Sequence, residues 1–380
     1  MYEEIQNAKR IVIKFGTNVL TNSDGNIALS RIYSFIEDIA KLKKQGKEII
    51  IVTSGAVGLG AKKLKLNEIP NLVSIKQACA AVGQSKLMYF YEDGFDKFDI
   101  VTAQILLTED DFSIREKYLS LRDTLSRLLE LDVIPIINQN DTVSPNELRS
   151  YKDNETKVCF GDNDKLSALV TSELDADLLI ILSDIDGLFD QDPRKNPNAK
   201  LITEVKEITP EIEALGFEAS KKGRGGMKTK LEAAKVVSRS GNYMIITNGK
   251  KPNAIENIFN ENFVGTVFLP VETLSSKKRW IAYATNITGS IKVNDGAKKA
   301  LVKDCSGLLP AGITAIHNEF DRGDVVSIID KDDVEFAKGM VNYSSIDCEK
   351  LLGQHSDNIE KILGYKNYDN LISRDNIVIL

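Results

Sequence analysis

Six stretches of this chain place glycine, lysine, or short acids and amides where an apolar run gives way to a turn or a helix. Ile13-Lys14-Phe15-Gly16-Thr17-Asn18 closes the first run. A lysine at the carboxyl end of a parallel strand sits where open α/β sheets bind ligands, and a following glycine lets backbone approach an anion closely. Thr53-Ser54-Gly55-Ala56-Val57-Gly58-Leu59-Gly60 closes the second. Small residues there leave free amide groups and a positive helix end for an anion, with Ser54 as an added donor. Ile134-Pro135-Ile136-Ile137 runs into Asn138-Gln139-Asn140-Asp141, three amides and a carboxylate. Asp141 suits an ammonium group; an Asx-turn is the plain structural alternative.

Gly161-Asp162-Asn163-Asp164-Lys165 precedes the helical run Leu166–Leu174. One Asp or Asn would serve as the helix cap. The surplus leaves Asn163 and Asp164 as candidates for substrate or lysine contacts. Ser183-Asp184-Ile185-Asp186-Gly187 follows another apolar run, and carboxylates at a strand end can organise Mg²⁺ or nucleotide groups. Lys221–Lys230 packs five Lys or Arg and three Gly before a helix. It is not a P-loop, because Met227 stands where that motif needs glycine before Lys-Thr. Three glycines beside so much charge favour a basic loop over a polyphosphate, with Lys230 near the helix start. Lysines from two distant places and several glycine-rich turns thus point to phosphoryl transfer, which needs positioning and positive charge more than covalent chemistry.

The elements that must hold these residues follow from periodicity. Arg10–Phe15, Glu48–Thr53, Ile100–Leu106, Val133–Asn138, Leu178–Ser183 and Asn242–Thr247 are apolar on both faces, as in strands buried on both sides. Helical patterns lie between them: Leu29, Ile32, Ile36 and Ile39 share a face, and so do Leu231, Ala234 and Val237. The expected fold is α/β, a mostly parallel open sheet sandwiched by helices over residues 1–270. A polar junction with the single tryptophan, Trp280, spans 271–286. Glycine-punctuated short runs such as Val325–Ile329 then predict a small, mainly β domain at 287–367, followed by a tail at 368–380.

Composition narrows the classes. The 380 residues are 42% hydrophobic and 27% charged, an ordinary globular balance, and exceed one typical domain. With 49 Lys and Arg against 55 Asp and Glu, the net charge of −6 is not that of a bulk nucleic-acid binder. Cys79, Cys159, Cys305 and Cys348 form no CxxC pair, which fits a reducing cytosol. Both histidines, His317 and His355, fall in the late part, so a Ser-His-Asp hydrolase is disfavoured. The N-terminus has no apolar signal segment, and no run is long enough to span a membrane.

At IKFGTNVL, IVTSGAVGLG, AAVGQS (Ala80–Ser85), PIINQND, GDND, SDIDGLF with DPR, and GGMKTK, the chain resembles the amino acid kinase family, in particular its glutamate-phosphorylating branch. SGLLPAGI, FDRGDVV, AKGMVNYSS and ILGY resemble a PUA domain. The resemblance implies ATP and Mg²⁺ as cofactors, L-glutamate as substrate, and L-glutamyl 5-phosphate, an early intermediate of proline synthesis, as product. It implies that Lys14 contacts the migrating phosphoryl group, that Ser54, Asp141 and Asn163 hold glutamate, and that Asp164 orients the lysines. Gly16, Ser183 and Asp184 would lie at the nucleotide. Arg224, Gly225, Gly226, Met227, Lys228, Thr229 and Lys230 would form the ATP-side loop, with Lys230 stabilising developing charge. Proline would inhibit by feedback, and a cytoplasmic homo-oligomer is expected. The polar loop Thr142–Phe160, 19 residues, is longer than expected of bacterial kinases, and Arg224 stands where the family often has a small residue. PUA domains elsewhere recognise RNA, but residues 287–367 carry ten Lys or Arg against thirteen Asp or Glu, a net of −3 that argues against it.

Overall fold

The computed structural model describes all residues except 23–24, 67–71, 145–162, 217–225, 261–262 and 272–273. Its contacts divide the chain into two compact units, one built from most of residues 1–274 and one from Ser275–Leu380 with Phe112–Ile114.

In the first unit the strands are β1 (Arg10–Phe15), β2 (Glu48–Val52), β3 (Thr102–Leu107), β4 (Ile134–Gln139), β5 (Leu178–Ser183), β6 (Leu188–Phe189), β7 (Leu201–Ile202), β8 (Glu204–Val205), β9 (Tyr243–Asn248) and β10 (Gly265–Phe268). Eight of them form one sheet in the order β3-β4-β2-β1-β5-β9-β10-β8, and β6 pairs with β7 separately. All six apolar runs are strands of this sheet and pair in parallel. The additions are β10, antiparallel to β9, and the two-residue β8. β4 and β5 are buried at every position, as both-face apolarity requires.

Alternation along β1 decides what Lys14 can reach. Ile11, Ile13 and Phe15 point into a core shared with Ile32, Phe35, Ile36 and Ile39 of helix Leu29–Lys44 and with Leu87, Tyr91 and Phe95 of helix Val73–Asp96. Val12 and Lys14 therefore point to the other face. There the helix Asn163–Glu173, buried at every residue but Lys165, packs on β1 and β5, and helix Met227–Arg239 packs beside it. Leu29, expected on the inward face of its helix, is instead 45% exposed at the first turn, and Phe35 and Leu42 complete that face.

The second unit has β11 (Ile287–Val293), β12 (Ile313–His317), β13 (Val325–Ile329), β14 (Glu335–Met340) and β15 (Ile377–Ile379), in the order β12-β11-β13-β14-β15. Only β11 and β13 pair in parallel within it. The stretch expected as a tail supplies β15, which pairs with β14. In the stretch expected as a junction, Ser276–Arg279 and Trp280–Ala284 are helical turns, and buried Trp280 donates to the Phe112 carbonyl at 3.0 Å. Among the described residues no helix is long and apolar enough to cross a membrane.

Candidate active site

Three charged side chains meet beneath the carboxyl ends of the central strands. Lys14 of β1 lies 2.6 Å from Asp164 Oδ1, and Lys230 Nζ lies 3.0 Å from Asp164 Oδ2. All three are buried: Lys14 is 3% exposed, Lys230 7% and Asp164 0%. The Thr229 hydroxyl lies 2.9 Å from the same Oδ2. Burial alone would raise the Asp164 carboxyl, but the Lys14 and Lys230 ammonium groups overcome it and hold the acid ionised below its ordinary range. One carboxylate thus bridges two buried cations drawn from elements far apart in sequence and leaves one net positive charge there.

The helix that carries Lys230 begins beside this bridge. Gly226 is its N-cap, extended and without a side-chain cap, so the first-turn N–H groups of Met227–Arg239 are left for an anion. Met227 is buried, Thr229 half-buried and Lys228 exposed. Arg224 and Gly225 lie outside the described residues, as do Gly161, Asp162 and nearly all of Thr142–Phe160.

A second cluster is made of amides. Asn163, next to Asp164, donates from Nδ2 to the Thr53 carbonyl at 2.5 Å, to Ser54 Oγ at 2.8 Å and to Asn138 Oδ1 at 3.0 Å. Asn138 at the end of β4 donates to Gln84 Oε1 at 2.8 Å. The Tyr91 hydroxyl, 2.9 Å from Thr53 Oγ1, closes the back of this cluster. Gly55 makes its entry possible: its φ of 102° lies in the left-handed region that side chains avoid, and it turns β2 into helix Ala56–Lys63. The next glycines pack helix on helix rather than helix on sheet. A Cβ on Gly83 would lie 1.8 Å from the Ala56 carbonyl, and one on Gly60 1.8 Å from the Cys79 carbonyl.

The structure thus joins Lys14, Asp164 and Lys230 in one bridge, and Ser54 with Asn163 in a neighbouring one. Asp141 is half-buried in the turn that follows β4. Ser183 ends β5 and Asp184 follows it, where Asn18 donates to Asp184 at 2.9 Å. Gly16 donates its N–H to the Leu182 carbonyl at 3.2 Å, which ties the end of β1 to that of β5. Asn138 and Gln84 were not singled out as site residues. Their signal was available: a polar amide closing a fully apolar strand, and a glutamine after the small-residue run Ala80–Gly83.

Comparison with known proteins decides the lineage. Residues 9–248 match the model of the amino acid kinase family, and residues 289–363 match the PUA domain. The chain belongs to the amino acid kinase family. Among curated members, one from Caldanaerobacter subterraneus subsp. tengcongensis, named glutamate 5-kinase, is 46% identical over 98% of this chain and 98% of its own. Another of that name, from Methanosarcina mazei, is 45% identical over 99% of this chain and 97% of its own. A solved UMP kinase from Ureaplasma parvum overlays with a TM-score of 0.47 at 17% identity, covering 69% of this chain and 99% of that one, too distant to bear on substrate.

Proposed function

We propose that the chain transfers the γ-phosphoryl group of ATP to the side-chain carboxylate of L-glutamate, giving L-glutamyl 5-phosphate, an early step of proline synthesis. Full-length relatives named for glutamate 5-kinase activity support the substrate. The observation that carries the chemistry is the buried Lys14–Asp164–Lys230 bridge. A carboxylate acceptor is already ionised near neutrality, so no base is needed to activate it. That suits a unit whose chain contributes no histidine. What the reaction does need is positive charge where the migrating group spreads its own.

In this reading Lys14 and Lys230 supply that charge, and Asp164 holds both in place until the phosphates arrive. Ser54, Asp141 and Asn163 hold glutamate. Gly16, Ser183, Asp184 and the Arg224–Lys230 segment hold ATP. Mg²⁺ would be bound chiefly through phosphates and water. When bound, that ion neutralises phosphate charge. Proline shares an α-carboxylate and α-nitrogen with glutamate, so feedback inhibition is part of the proposal. So are a homo-oligomeric state, a cytoplasmic location, and a kinase domain at 1–270 joined through 271–286 to a PUA-like domain at 287–367.

The test is ADP release from Mg-ATP with and without L-glutamate, with hydroxylamine present to trap an acyl phosphate. Glutamate-dependent ADP matched by hydroxamate is expected. ADP release indifferent to glutamate would overturn the substrate assignment.

A further inference from the structure

The amide cluster has a fixed polarity, and that polarity assigns a recognition role to Gln84. The Thr53 carbonyl can only accept, so the Asn163 atom that meets it at 2.5 Å must be the nitrogen. The Gln139 backbone N–H can only donate, so the Asn138 atom 2.9 Å away must be the oxygen. Asn138 then turns its nitrogen to Gln84, which must answer with its oxygen at 2.8 Å. Two backbone groups therefore set three carboxamides. Their remaining atoms follow: Gln84 is left with an NH₂ group and Asn163 with a carbonyl oxygen, both buried. Among the described residues neither Gln84 Nε2 nor Asn163 Oδ1 has a hydrogen-bond partner, although Gln84 is 8% exposed and Asn163 5%. Buried polar atoms are seldom left so, because each costs about 1–3 kcal/mol.

We infer that Gln84 Nε2 donates to the α-carboxylate of the amino-acid substrate and so sets specificity for it, while Asn163 Oδ1 accepts from the α-ammonium. The inference rests on the glutamate reading above. A donor is matched to a carboxylate and an acceptor to an ammonium. Position supports the order of the two ends. The phosphoryl side is at Lys14 on β1, whereas Gln84 is reached through Asn138 on β4, two strand spacings or about 10 Å across the sheet. The α-carboxylate is the end of glutamate remote from the reacting carboxylate. Gly83 holds Gln84 there, since its Cα lies against the backbone of Ala56, two residues beyond Ser54.

The experiment compares L-glutamate with its α-amide, which keeps the reacting side-chain carboxylate and the ammonium, as substrates of the full chain. Gln84→Glu keeps an oxygen for Asn138 and changes only the outward atom; Gln84→Met removes both. Wild-type enzyme is expected to prefer glutamate by at least about 10-fold in kcat/KM, because the α-amide keeps an acceptor oxygen but loses the charge that strengthens the hydrogen bond. Both variants should lower that preference at least about 10-fold, through KM for glutamate, with ATP binding unchanged. Equal losses for both substrates, or an unchanged preference, would overturn the inference. Should the variants fail to fold, a wild-type enzyme that does not distinguish glutamate from the α-amide overturns it as well. A wild-type enzyme inert toward both would instead remove the glutamate reading.

Discussion

Each unit holds an aspartate whose carboxyl titrates well below its ordinary range, and the two are supported differently. Asp164 is wholly buried between two ammonium groups from β1 and helix Met227–Arg239, so its neighbours come from 150 and 66 residues away. Asp330 in the second unit takes Lys298 on Oδ2 at 2.7 Å and the Asp332 and Val334 N–H groups on Oδ1 at 2.9 and 3.0 Å. Those two amides belong to its own turn between β13 and β14. Asp330 is held by one ammonium from a helix 32 residues away and by the amides of its own turn, in a place that needs no function to explain it. Asp164 is stabilised by charges that would be costly if it were absent. A lowered carboxyl therefore does not mark a site; cations recruited from distant elements into a dry one do.

The contrast is broken most directly at Asp164. Asp164→Asn removes the acid that joins the two buried ammonium groups of Lys14 and Lys230 among the described residues. Removing one partner of a buried ion set costs about 3–5 kcal/mol, so unfolding by denaturant should shift by that order and turnover should be lost. A variant as stable as wild type would make the bridge as incidental as a surface pair.

Lys14→Ala comes next. Asp164 keeps Lys230 and the Thr229 hydroxyl, so the fold should survive. kcat should fall about 10²–10³-fold, the usual effect of removing one group aimed at transition-state charge. Near-normal turnover by Lys14→Ala would falsify the catalytic assignment. Asp141→Ala should act on substrate rather than on chemistry, raising KM for glutamate about 10-fold, the loss of one charged hydrogen bond, with kcat little changed. An unchanged KM takes Asp141 out of the site.

Most of this arrangement could be read from residue order, and what could not has a physical reason. Six double-faced apolar runs predicted six parallel strands; five are buried as such runs require, whereas β3, at the sheet edge, is mostly half-exposed. Lys14 at the end of one of them was legible for the same reason. β10 and β8 were not, since four and two residues carry too little periodicity. Leu29 misled because a helix's first residue can face outward while its later turns pack. The Lys230–Asp164 pairing was reachable only through resemblance, as spacing says nothing about partners 66 residues apart. Gln84 was least legible: its role depends on which of its two amide atoms Asn138 faces, and that is set by backbone groups of Thr53 and Gln139 in the folded chain.

The smallest effect is expected at Asp330, and its sign can be worked out. Its carboxyl is held at about 2 by the Lys298 hydrogen bond first and the Val334 amide next, against an ordinary 3.8. A depressed carboxyl adds stability that is complete above the unfolded value and is lost as pH falls through the folded one. The second unit should therefore weaken between about pH 4 and pH 2 in part through this group. Asp330→Asn should lower the Tm of that unit modestly at pH 7, flatten its acid limb over that window, and leave glutamate turnover unchanged. A mutant whose acid limb keeps the wild-type slope would show that the turn is held by its backbone alone. A mutant that lost turnover would erase the distinction between the two aspartates, because the second unit's turn would then be acting on the chemistry of the first.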